Sequence, residues 1–181
     1  GWGTDGVPEV AYVTMEPLDL PALQAADAVT DQYKEAPWRF GVERDVHYTL
    51  DNSGTWTEEG GERIWRLGVH CPAGVNISFR LDAFDLAKGS ALYVYNADRT
   101  EYLGAFTEAN EKDWGGLAIG LLAGDRAVLE LREPLVEAGL NTLVVGQIIH
   151  GYRSLLQHAE DVYADMAALG PFGTSGACNI N

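Results

Sequence analysis

The chain has 181 residues, is 46% hydrophobic and carries 5 Trp, 8 Tyr and 5 Phe, enough large apolar side chains for a globular core and too many for a disordered segment. Its 12 Lys and Arg stand against 27 Asp and Glu, a formal charge of -15 that repels phosphate backbones and anionic bilayers, so neither nucleic acid nor membrane is an expected partner. No run approaches the roughly 18 consecutive apolar residues that cross a bilayer, and without an initiating Met or an apolar leader the chain reads as soluble and already trimmed.

Residues 1 to 19 mix Gly, Pro and acids around AYVTM, the pattern of an extended arm with at most one edge strand. LPALQAADAVTDQYKEA (20 to 36) has Pro21 where a helix can begin and Leu23, Ala26 and Val29 at helical spacing, which predicts a short helix or a wrapped arm. From residue 38 the period changes. VHYTLD (46 to 51) leads into the turn Asn52-Ser53-Gly54, and Trp56 and Trp65 sit on two runs joined by Gly60-Gly61, a hairpin in sequence form. VNISFRLDAF (75 to 84), SALYVYNA (90 to 97), EYLGAFT (101 to 107), WGGLAIGLL (114 to 122), DRAVLELREP (125 to 134) and NTLVVGQIIHGY (141 to 152) follow, separated by turn residues. Short strands without intervening 12-residue helices argue against a parallel βαβ sheet and predict an all-β fold, an antiparallel β-sandwich or jelly roll. SLLQHAEDVYADMAAL, after Arg153, carries a weak helical stripe, and Gly170-Pro171 ends it in a linker. The expected organisation is an arm over 1–37, a sandwich over 38–153, a linker with a short helix over 154–172 and a distinct terminal segment over 173–181.

Candidate chemistry is sparse. GTSGA places Ser175 in a partial nucleophile-elbow pattern, but the fifth residue is Ala177 and no strand precedes it. His47, His70, His150 and His158 are scattered, and His70-Cys71 is the one adjacent pair; Pro72 marks it as a turn rather than a thiolate site. Cys71 and Cys178 lie in no CxxC or zinc spacing; they can pair with each other, or Cys178 with a cysteine outside the chain. Glu58, Glu59 and Glu62 flank the Gly-Gly turn, and Asp82, Asp85 and Asp98 fall near strand ends. No EF-hand spacing exists, so no cofactor is expected and calcium is the one metal these loop oxygens would suit. Trp38, Trp56, Trp65 and Trp114 are the candidates for a sugar platform, with Trp65 assigned to the core by the alternation of IWRL. Asn76-Ile77-Ser78 is a formal glycosylation sequon.

Several blocks carry a resemblance: APWRFG (36 to 41), GTW (54 to 56), IWRLGVHCPAGVNISFRLDAFDLAKGSALYVYN (64 to 96), LGAFTEAN (103 to 110), the Gly-Asp turn (124 to 125), IIHGYR (148 to 153) and, last, GTSGACNIN (173 to 181). In this order they resemble the N-terminal pro-region of secreted bacterial lysyl endopeptidase-like, trypsin-like serine proteases, and the final block is similar to the start of the mature enzyme. The resemblance implies a non-catalytic pro-domain that assists folding of the downstream protease and masks its cleft, secreted or periplasmic, with a processing junction at Phe172-Gly173. It also implies that Cys178 belongs to the protease and bonds downstream. Gly170-Pro171-Phe172 supplies no Lys before the junction, so a lysine-specific enzyme would not cut itself there. The alternative expectation is a secreted sandwich that binds carbohydrate or another surface ligand.

Overall fold

The computed structural model describes residues 10–33 and 37–168, with side chains through residue 164. Within them a three-residue strand β1 (Tyr12–Thr14) and a helix α1 (Leu20–Thr30) precede nine further strands: β2 (Gly41–Thr49), β3 (Thr55–Glu59), β4 (Glu62–His70), β5 (Asn76–Asp85), β6 (Ala91–Asn96), β7 (Tyr102–Phe106), β8 (Leu117–Ala123), β9 (Arg126–Pro134) and β10 (Thr142–Gly151). A second helix, α2 (Leu155–Ala168), follows. Both helices and the mostly-β character were legible in the sequence.

The strands form two sheets. One runs β1-β4-β9-β6-β7, with β3 also on β4; the other runs β2-β10-β5-β8. All pairings are antiparallel except that of β1, which runs parallel to β4 through Tyr12↔Gly68 and Thr14↔His70. β3 and β1 share one edge of β4, the first beside Glu62 to Arg66 and the second beside Gly68 to His70.

Side-chain alternation sends one face of each sheet into a common core. In the larger sheet Leu67, Leu129 and Val94 align across three strands, and Trp65, Leu131 and Leu92 form the next row. In the smaller sheet the rows are Ile148-Phe79-Ile119 and Val145-Leu81-Leu117. These residues belong to one buried cluster. LVVGQII owes its adjacent apolar residues to a bulge between Val145 and Gln147, which lets Val145 and Ile148 both reach the core from positions of opposite parity.

Two glycines are required by their surroundings. Gly54, at φ +68, closes the turn between β2 and β3; a Cβ there would lie 2.5 Å from Trp65 Nε1, which instead donates to Ser53 O at 2.7 Å. Gly68 lets the arm approach β4, because a Cβ would meet Ala11 O and the Tyr12 ring at 2.8 Å.

Candidate functional site

The two helices are joined to the sandwich at a single clasp built on Asp27. Asp19 caps α1 by accepting from Ala22 N at 3.1 Å, Pro21 occupies its first turn, and the four-residue spacing of Asp27 and Asp31 puts both carboxylates on one face. That face meets the strand ends. Asp27 Oδ1 accepts from Arg39 Nε at 2.9 Å and Nη2 at 2.7 Å, while Oδ2 accepts from Tyr152 Oη at 2.5 Å. Arg153 comes within 3.4 Å of the same carboxylate and pairs with Asp31 at 2.7 Å. The backbone amides of Tyr152 and Arg153 both donate to Phe40 O, which locks the segment entering β2 against the segment leaving β10. Burial opposes ionisation of Asp27, which is only 4% exposed, but the hydrogen bonds from Tyr152 and Arg39 and the charges of Arg39 and Arg153 outweigh it, so its carboxyl ionises below the usual carboxylate range. Both Arg39 donors converge on Oδ1, which makes this a directional contact as well as a charge pair.

Trp38 extends the clasp to α2. His158 stacks on its ring with centroids 3.9 Å apart and planes 11° from parallel, and the Arg153 guanidinium lies 4.3 Å from the ring centroid. Trp38 is therefore a bracket between the sandwich and α2, not an open platform.

At the tip where β4 turns into β5, His150 takes a core position in the row with Ile77 and Leu122. It is fully buried; Nε2 is 3.0 Å from Pro72 O, and Nδ1 has no partner. Burial, only partly offset by that carbonyl and reinforced by the charges of Arg44 and His70, lowers its pKa and keeps the ring neutral. Cys71 beside it is a buried thiol with no disulfide partner among the described residues, pushed up to about 12, mainly by burial with a further contribution from Asp125. A thiol so poorly ionised is a core residue rather than a nucleophile. His70 reaches Asp125 at 3.3 Å, and His47 points outward from β2.

The outer faces of the sheets differ in charge chemistry. On the larger sheet Glu130 is buried under a network: Arg66 Nε and Arg132 Nε each donate at 2.7 Å and Tyr95 Oη at 3.0 Å. Burial disfavours its charge, yet the two guanidinium groups prevail and its pKa is lowered. The smaller sheet presents carboxylates, with Gln147 Nε2 donating to Glu43 at 3.2 Å and Asp45 at 2.9 Å, and Arg80 pairing with Asp82 at 3.1 Å. Among the described residues no three His, Cys, Asp or Glu gather as a metal-binding group, and no helix is long and apolar enough to cross a membrane.

The structure separates the tryptophans. Trp65 is buried as predicted, Trp56 is half-buried under the Arg63 guanidinium at 4.2 Å, and Trp114 alone of the four is widely open, 60% exposed. Asn76 is buried with its amide donating to Arg153 O at 3.0 Å, so the sequon is closed in the folded chain. Phe172, Gly173, Ser175 and Cys178 lie outside the described residues, and with them the processing junction and the partner proposed for Cys71. Sequence reasoning missed Asp27 and Glu130. The Asp27/Asp31 spacing was a usable signal for the first; nothing in the sequence pairs Arg66 with Glu130, 64 residues away.

Comparison with family models, curated proteins and solved structures returned no match.

Proposed function

We propose that the chain is the non-catalytic N-terminal pro-domain of a secreted trypsin-like serine protease, which assists folding of the tethered enzyme and masks its active site until cleavage at Phe172-Gly173. The observation that carries this reading is the ordered series of blocks that closes on GTSGACNIN. The fold supports it by giving the blocks structural work: APWRFG and IIHGYR supply Trp38, Arg39, Tyr152 and Arg153 to the Asp27 clasp, and the GTW turn seats the Trp65 indole. The catalytic His, Asp and Ser of such an enzyme would lie beyond Asn181. A tether of a few residues holds the domain at an effective concentration of about a millimolar, so a modest intrinsic affinity suffices for masking.

The sandwich itself we read as a jelly roll. With β2, β4, β5, β6, β7, β8, β9 and β10 counted as strands one to eight, the sheets run 1-8-3-6 and 2-7-4-5, the interleaved order of two Greek keys, with β1 and β3 as additions at the β4 edge.

The test is to refold the downstream enzyme with and without this 181-residue chain. Higher recovered activity with the chain, followed by inhibition when the chain is added to folded enzyme, is the expected result; no effect on either would overturn the reading. One observation favours a second reading, a surface-binding module: Trp114 lies against Gly116, where a Cβ would meet the ring at 2.1 Å, and keeps an open face on which a sugar could stack. Quenching of Trp114 fluorescence by a glycan, lost in Trp114→Ala, would support it.

A further inference from the structure

The helix α2 is unusually bare. Leu156 is 79% and Tyr163 73% exposed, and Leu155 and Val162 are open to 36% and 44%. At positions 155, 156, 162 and 163 they are spaced to form one stripe along two turns. The helix is held at its start by Ser154 Oγ, which accepts from Gln157 N at 3.3 Å, and by the His158–Trp38 stack; none of the four stripe residues belongs to the sandwich's buried cluster or to the apolar side chains packed against it. Glu160 borders the stripe, Asp161 lies on the opposite face, and residues 155–168 contain no Lys or Arg.

We propose that this stripe is the surface on which the downstream protease closes, through an apolar groove rimmed by basic side chains. The inference rests on the pro-domain reading and deepens it by assigning the contact. Chain continuity is the first argument: only residues 169–172 separate α2 from the first residue of the enzyme, so that residue lies within about 18 Å of the end of α2 whatever path the chain takes. The tethered enzyme therefore meets α2 before it can reach the far end of the sandwich. Charge is the second, since an acidic, cation-free helix selects a basic rim and orients the encounter. The attachment of α2 supplies the third: Trp38 stacks on His158 and lies under Arg153, and the amides of Tyr152 and Arg153 donate to Phe40 O, so the stripe begins at a root tied to the sheets.

The experiment measures inhibition of the mature downstream enzyme by the whole chain added in trans, for wild type, Leu156→Asp, Tyr163→Asp and a control, Val136→Asp. Val136 is 87% exposed in the turn between β9 and β10, remote in sequence from α2, and reports any general effect of an added charge. The expected result is inhibition weakened roughly tenfold or more by each α2 substitution and unchanged by the control, with the thermal unfolding midpoint of all four chains the same. Equal inhibition by all four overturns the α2 assignment and leaves the pro-domain reading standing. No inhibition by the wild type counts against the pro-domain reading, and the α2 assignment falls with it.

Discussion

At the scale of single residues, the clasp and the buried histidine make separable predictions. Asp27→Ala removes the acceptor of Tyr152 and Arg39, leaving Arg39 without its carboxylate and Arg153 with Asp31 alone; it should cost about 3 kcal/mol in urea unfolding, whereas Tyr152→Phe, which removes one hydrogen bond, should cost about 1 kcal/mol. Equal costs would mean that the tyrosine, not the charge pairing, holds α1. His150 predicts a pH dependence of definite sign. Its folded pKa is lowered, so the unfolded chain binds the proton first; its contribution is complete above the unfolded value near 6.5 and is lost as pH falls through the folded value, with a slope of at most about 1.4 kcal/mol per unit. His150→Gln should flatten the stability profile below pH 6.5, and a profile identical to wild type would remove His150 as its source. Asp27 and Glu130, both with lowered pKa, act at lower pH: their stabilisation is present above the ordinary carboxylate range and disappears as acid protonates them.

At the scale of elements, the arm is held to the sheets through one short edge pairing. β1 is three residues long, parallel, and joined only to β4, with Met15 N donating to His70 O at 2.8 Å just beyond it. Gly68→Ala should push Ala11 and Tyr12 away and speed amide exchange at Val13 and Met15 while leaving Leu129 in β9 protected; uniform deprotection would show that the arm is integral to the core. Most elements could be read from the sequence because their cues are local. The Gly60-Gly61 turn set the register that places Trp56 opposite Trp65, and Pro21 marked the first turn of α1. β2 began five residues before its predicted start because GVERD looks like a charged loop; in an edge strand Glu43 and Asp45 face solvent while Arg44 turns the other way to donate to Glu16 O. The β10 bulge and the strand-borne partners of Asp27 were illegible for a related reason. Both depend on which strands become neighbours, and single-sequence periodicity carries no such information.

For the whole molecule, the two sheets share one core and should unfold together. Leu129→Ala, at the centre of the Leu67-Leu129-Val94 row, should cost about 2 to 5 kcal/mol and lower the β4 and β10 signals in a single transition. Two transitions would mean that the sheets are separately stable. The central claim is that this cooperative sandwich is a pro-domain, and the most direct measurement is mass mapping of the full secreted product encoded by the continuous reading frame. The account predicts a mature enzyme whose N-terminal residue is Gly173, released from a fragment ending at Phe172. A secreted product in which the sandwich is followed by no trypsin-like sequence, or is never separated from it, would contradict the account.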